Sequence, residues 1–245
     1  MGISLRPIAF GGFALQLLKA ADVGQGGLVS LARMKTEMVI NTSLEKRVEQ
    51  TCCNLARGLP ELNETPVRPW RHRTASLCGS APSLMQNLHK IRGKVMAINA
   101  AIPALHNAGI KVDYPMIWDA TPEMVRYVCD IPGAEWMIAS RCYPPLIDRL
   151  LEMGQKVTLW STGSSEPELL KVTLGHLCVM GGRTGATRGP WLLGTMGFRN
   201  IHMFGADSSF GVETHVGGSL RDESVNEVVC MFEGEAYRTT TWMLD

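Results

Sequence analysis

TASLCGSAPSLMQNLHKIRGKVMAIN, residues 74–99, decides the fold. It holds two apolar runs, TASLC (74–78) and KVMAIN (94–99), on either side of a helix-like segment, 83–92. Buried parallel strands read as continuous apolar runs, and joining two of them takes a crossover of a dozen or more residues, usually a helix. Between the runs stand Gly79, Ser80 and Pro82, small or turn-forming residues that bring the chain off the first strand and into the helix.

The same alternation continues downstream. Apolar runs recur at YPMIW (114–118), EWMIAS (135–140), KVTLW (156–160) and NIHMF (200–204), with helix-like segments at 100–109, 121–129, 143–153 and 182–197. The expected fold is an α/β, Rossmann-like, open and mostly parallel sheet with helices on both faces. EVVCMFEGEAYRTTTW (227–242) reads as a C-terminal hairpin turning at Glu233-Gly234-Glu235. Upstream, SLEKRVEQTCCNLARGL (43–59) carries Leu44, Val48, Cys52 and Leu55 on one helical face, and LNETPVRPWRH (62–72) is a connector with two prolines. Residues 1–42 show no strong period and are broken by Gly11-Gly12 and Gly26-Gly27. The expected division is an appendage, 1–42, and a single domain, 43–245.

Composition excludes more than it selects. The chain of 245 residues is 45% hydrophobic and 19% charged, as expected of a folded globular protein. Lys+Arg of 24 against Asp+Glu of 23 leaves a formal charge of +1, so no global field draws it to nucleic acid or an anionic membrane. VRPWRHR (67–73) is a local basic run, either a solvated lead-in to the first strand or a polyanion contact. Seven cysteines lack metal-ligand spacing and read as small buried residues of a reducing compartment. The apolar run IAFGGFALQLL (8–18) is ended by Lys19 and Asp22 and is far short of a membrane span. A cytoplasmic protein is expected.

In an open α/β sheet, ligands bind outside the carboxyl ends of the strands, where strand order reverses. The strand ends therefore supply the candidates. Gly79 and Ser80 follow the first strand, and Ser83 is placed to cap the next helix, whose amino end attracts phosphate. The loop lacks the GxGxxG fingerprint and the lysine of a Walker A motif, so it reads either as an anion-binding turn or as an ordinary strand-to-helix turn. Asn99 ends the second strand, and Asp119 the third; Asp119 reads as a metal or ribose ligand or as a helix cap. Gly205, Asp207 and Ser208 end the sixth run, where Asp207 reads as a ligand-side carboxylate or a turn former. Arg183, Thr184, Thr187 and Arg188, in GGRTGATRG (181–189), offer phosphate contacts or a solvated helix start. His215, in VETHVGG (212–218), is the candidate general base.

CGSAPSL (78–84), MAINAAIPALHNAGIKVDYPMIWDATPE (96–123) and MGGRTGATRGPWLLGTMGFRNIHMFGADSSFGVETHVGG (180–218), taken in this order, resemble the MptE-like family. The resemblance extends over about residues 48–240, and the lead-in NLARGLP (54–60) is similar to members from phages and prophages. Ala81 stands where the family commonly has a second glycine, and Lys111-Val112 replaces the usual x-Pro pair before Asp113. The resemblance implies a Rossmann-like fold and a nucleotide on the glycine-loop edge. One branch transfers diphosphate from ATP to a hydroxymethyl pterin, with Mg²⁺ at Asp119 or Asp207. Another resembles bacterial sialyltransferases that use CMP-activated sugars and need no cofactor beyond the donor. Glycosyl transfer would use His215 as base, with hydroxyls or Arg183 on the leaving phosphate. The candidate catalytic residues are thus His215, Asp207 and Asp119, and Gly79, Ser80, Ser83, Asn99, Arg183, Thr184, Gly205 and Ser208 are those that would hold the nucleotide. The expected partners are a nucleotide and a small-molecule or glycan acceptor; a third reading is a non-catalytic, phage-encoded nucleotide binder, working in the host cytoplasm.

Overall fold

The apolar runs become strands of one seven-stranded sheet in a computed structural model that describes residues 42–62, 74–182, 184–207, 216, 227–232 and 235–240. The strands are β1 (Thr74–Cys78), β2 (Lys94–Ile98), β3 (Tyr114–Ile117), β4 (Glu135–Ala139), β5 (Lys156–Thr162), β6 (Cys178–Val179) and β7 (Asn200–Phe204). All pairings in this sheet are parallel, in the order β6-β5-β4-β3-β2-β1-β7. The chain steps outward from β1 to β6 and then returns to pair β7 against the free side of β1. That return is the reversal of strand order. Parallel crossovers are right-handed, so reversing the direction of travel also puts the returning helix on the opposite face.

The helices of this body are α1 (Leu44–Leu55), α2 (Ser83–Gln86), α3 (Ala101–Asn107), α4 (Pro144–Glu152), α5 (Pro167–Val172) and α6 (Gly185–Thr195). By that rule α2, α3 and α4 share one face and α6, the β6–β7 crossover, covers the other, while the short α5 packs against α1. Gly189 of α6 lies directly on β1: a Cβ there would stand 2.6 Å from Leu77 Cδ1. The core between the layers is built from Leu77, Met96, Met116, Trp136, Met137, Trp160, Leu192 and Phe198, each at most 1% exposed.

Several local expectations are corrected. The helix expected over 83–92 is a single α-turn, Ser83–Gln86, followed by a 3₁₀ turn, Leu88–Lys90; the segment over 121–129 is a 3₁₀ helix, Pro122–Tyr127. The two-residue strand β6 and the helix α5 were not expected at all. On α1 the buried residues are Arg47, Gln50, Thr51 and Asn54, whereas Cys52 is exposed and Leu44, Val48 and Leu55 are only half-buried. Cys52 and Cys53 are exposed, against the expectation of burial, while Cys78 and Cys142 are buried; burial pushes the Cys78 thiol up to about 12. The hairpin forms as expected, with β8 (Glu227–Phe232) antiparallel to β9 (Glu235–Thr240). The hairpin falls in the compact unit that includes Ser224–Asp245, and the seven-stranded sheet in the unit Ile40–Glu223.

The return of β7 fixes a tight crossing at its end. Gly79 N–H donates to Phe204 O (2.8 Å), and Ala81 N–H donates to Gly205 O (3.0 Å). A Cβ on Gly79 would lie 2.3 Å from Gly205 O, and one on Gly205 would lie 2.5 Å from Gly79 O. Gly205 also holds φ at +60°, where a side chain is strained. Gly205→Ala is expected to cost on the order of 2–3 kcal/mol, combining left-handed strain with a backbone clash. Urea unfolding measures this; a loss below about 0.5 kcal/mol would show that the two loops separate easily.

Candidate functional site

The carboxyl edge is divided between a cap and a crevice. Strand ends and the loops after them present backbone carbonyls, so a helix lying over them must bring donors. This is why α1 buries a polar face. Asn54, fully buried, donates from Nδ2 to Ser140 O (2.9 Å) and Cys142 O (2.7 Å), both beyond β4. Gln50 donates to Ala120 O (3.2 Å) beyond β3, and Arg47 forms a bidentate pair with Glu166 (2.7 and 2.7 Å) beyond β5. α1 therefore sits across the ends of β3, β4 and β5. The ends of β1, β2 and β7 are left to the loops and to the amino end of α6.

Asn99 stands among these strand ends. It ends β2 with φ at +48°, the only described non-glycine residue in the left-handed region, and its backbone N–H donates to Met116 O (3.2 Å). Its Oδ1 is buried with no hydrogen-bond partner among the described residues. Opposite it lies the start of α6. Thr184 caps this helix by accepting from Thr187 N–H (3.1 Å), and Thr187 Oγ1 accepts from Thr184 N–H (3.1 Å). The capping box leaves the first-turn N–H groups of Gly185 and Ala186 without intrahelical acceptors. A Cβ on Gly185 would lie 2.7 Å from Ile98 Cγ2 and 3.6 Å from Trp118 Nε1, so this helix end faces the ends of β2 and β3.

Trp118, just past β3, carries two cations. The guanidinium of Arg141 lies 4.5 Å from its ring centroid and that of Arg188 lies 4.9 Å away. Arg141 Nε donates to Trp118 O (3.2 Å), and Arg188, 7% exposed, donates to Val179 O (2.8 Å) and Gly182 O (3.1 Å). Burial lowers both arginines, bringing Arg188 down to about 10; the charge of Arg141 adds to this at Arg188, while Asp119 and Glu166 oppose it at Arg141.

The expected site residues divide accordingly. Gly79 and Gly205 are held by each other, so the close approach that demands glycine here is backbone on backbone. Ser80 lies on this loop, and its carbonyl accepts from Val216 N–H (2.8 Å). Ser83 is in the first turn of α2 but makes no capping hydrogen bond, and a helix of four residues has little dipole to offer. Thr184 is engaged as a cap. Asp119 Oδ1 accepts from Thr121 N–H (3.2 Å), which leaves its other oxygen available. Asp207 is exposed beyond β7. Asp113 is on the amino edge, where it accepts from Val95 N–H (3.0 Å) and Lys94 Nζ (2.5 Å), so its role there is structural. His215, Arg183 and Ser208 lie outside the described residues.

β3 and β7 are three strand spacings apart in the sheet, roughly 14 Å. Asp119 and Asp207 thus stand at opposite sides of the crevice, and among the described residues no group of three His, Cys, Asp or Glu side chains is placed for a metal. One carboxylate together with nucleotide phosphates is nevertheless a donor set that suits Mg²⁺. The residues missed by sequence reasoning are Arg47, Gln50 and Asn54, which were hidden by an apparent apolar face, and the pairing of Arg141 with Arg188 on Trp118.

The Arg47–Glu166 pair carries a pH signature. The Arg47 guanidinium holds the Glu166 carboxyl below its ordinary range. A depressed carboxyl contributes stability that is complete above its unfolded-state value and is lost as pH falls through the folded one. Glu166→Gln is expected to lower stability at neutral pH and to flatten the acid limb of the stability curve; equal pH dependence in the two proteins would show that the pair is not coupled to folding.

No curated protein matches the chain. Among solved structures, it is similar to the MAf glycosyltransferase from Magnetospirillum magneticum AMB-1, with a TM-score of 0.60 and 16% identity over 83% of this chain. The alignment spans 33% of that protein, so the likeness is one of fold over a third of its length. Residues 49–213 match the family described as 6-hydroxymethylpterin diphosphokinase MptE-like, and with a match of this extent, over the same strands and loops that form the crevice, the chain belongs to the MptE-like family.

Proposed function

We propose that this protein is a nucleotide-dependent transferase whose donor lies across the ends of β1 and β2, beside Trp118, with its phosphates toward the amino end of α6. The observation that carries this reading is Asn99: a left-handed backbone and a buried, unpartnered amide oxygen at a strand end. Both cost free energy, and such costs persist where a ligand recovers them. Oδ1 accepts, so it suits a nucleotide hydroxyl or amine, while Gly185 and Ala186 N–H groups suit phosphate.

The finer reading is diphosphate transfer from ATP to a hydroxymethyl-bearing, pterin-like acceptor, which the family description supports. Mg²⁺ would be held by the donor's phosphates with Asp119 or Asp207 and would neutralise their charge. His215 is the proton acceptor for the acceptor hydroxyl, and the hydrogen bond from Val216 N–H to Ser80 O places the next residue of the chain on the glycine loop. A second reading, glycosyl transfer from a CMP-sugar, is favoured by the fold shared with the MAf glycosyltransferase.

Ligand-dependent melting separates them. A ligand at a hundred times its Kd adds about 2.7 kcal/mol. ATP with Mg²⁺ raising Tm most supports diphosphate transfer, CMP without metal supports glycosyl transfer, and no shift with any nucleotide would overturn the reading. Asn99→Ala should weaken the effective nucleotide about tenfold, the loss of one buried hydrogen bond of about 1.4 kcal/mol. His215→Ala should lower turnover by roughly 10²–10⁴-fold with nucleotide affinity little changed, whereas Asp207→Asn should weaken binding.

A further inference from the structure

Arg188 is 7% exposed and has no carboxylate within ion-pair distance among the described residues; the same holds for the half-buried Arg141. A buried cation ordinarily has a counter-charge. Here the acceptors are carbonyls: Val179 O and Gly182 O for Arg188, and Trp118 O for Arg141. Arg188 Nε has none. Two guanidinium groups against one indole repel each other, and the ring's quadrupole offsets only part of this. Asp119 and Glu166 act on Arg141 through space, but Glu166 is already in a bidentate pair with Arg47. Counting Arg47, Arg141 and Arg188 against Asp119 and Glu166 leaves one positive charge in excess.

The third donor set at the same ring is the start of α6, an eleven-residue helix whose Gly185 sits against Trp118. Helix amide groups and two arginines thus converge on one aromatic platform at the carboxyl edge, one strand away from Asn99. A forked guanidinium matches phosphate oxygens, and a platform that fixes its plane lowers the entropy lost on binding. Since both cations rest on the Trp118 ring, the ring serves to position them and not to stack a base.

We propose that Arg141 and Arg188, braced on Trp118, form a phosphate clamp for the donor's phosphate groups. This rests on the nucleotide reading above, yet the clamp can be tested without it, because inorganic pyrophosphate carries the same chemistry. Calorimetric titration at low salt would use the full chain and its variants with pyrophosphate, and with the pairs ATP and adenosine, CMP and cytidine. Wild type should bind pyrophosphate. Arg141→Gln should weaken pyrophosphate and the effective nucleotide at least tenfold while changing the matching nucleoside less than twofold, and Arg141→Lys should recover only part of the loss. Arg188 also holds two loop carbonyls, so Arg188→Lys is compared with wild type only after its melting curve shows a folded protein. Failure of pyrophosphate to bind wild type, or equal binding by wild type and Arg141→Gln, would overturn the clamp. Pyrophosphate binding that depends on Arg141, with no nucleotide bound, would uphold the clamp and refute the nucleotide reading.

Discussion

The mutual approach of Gly79 and Gly205 is the constraint on which this architecture turns. β7 must reach the free side of β1 after the chain has moved five strands away, and its end must cross the β1 loop at backbone contact distance. No side chain fits between these carbonyls. Once the two loops meet, the reversal of strand order lies beside β1, and the returning helix α6 is forced onto the face left open by the other crossovers. Its amino end then arrives at the carboxyl edge. The helix end, the β1 loop and the end of β2 come together because of one backbone crossing, and the crevice is a consequence of topology before it is one of chemistry.

The other half of the edge is closed by α1, and the closure explains an unusual helix. A parallel sheet's carboxyl end and its loops are rich in carbonyls that need donors. An apolar helix face would bury them unsatisfied at about 1–3 kcal/mol each. Asn54 alone serves two of them, and Gln50 a third. The amide oxygens of both residues then remain buried and unpartnered, as does Arg47 Nε. The polar cap is incompletely satisfied, and the bidentate Arg47–Glu166 pair holds it in register with the loop after β5.

The sheet was legible in the sequence because β1 to β5 are buried almost throughout and read as apolar runs, from TASLC to KVTLW; NIHMF, the edge strand β7, was legible from its composition although none of its residues is buried. β6 escaped because two residues carry no periodicity, and α5 because PELLKV is too short for a helical stripe to emerge. The face of α1 was misread for a physical reason: Leu44, Val48 and Leu55 are spaced as a core stripe, but the surface that α1 covers is polar. Gly79 was identified by its position; its partner Gly205 could not be paired with it, since sequence separation hides backbone crossings. Arg141 and Arg188 stand in separate motifs, and only folding sets both against Trp118.

Polar residues at strand ends turned out to be an indiscriminate guide to the site. Ser140 and Ser161 hydrogen-bond to each other (3.2 Å), Thr184 caps α6, and Asp119 stabilises its own turn. These hydrogen bonds serve the fold, although Asp119 commits only one of its two oxygens. Asn99, Arg141 and Arg188 are left open beside the amino end of α6: among the described residues Asn99 Oδ1 has no donor and neither arginine has a carboxylate within ion-pair distance. Gln50 Oε1 and Asn54 Oδ1 are unpartnered as well, but they belong to α1, which closes its half of the edge. On the amino edge the Asp113 carboxylate is met by Lys94 and by Val95 N–H, and no such imbalance arises around it. Unmatched polar groups mark where an edge of a sheet can take a ligand, and beside the first turn of α6 those groups are Asn99, Arg141 and Arg188.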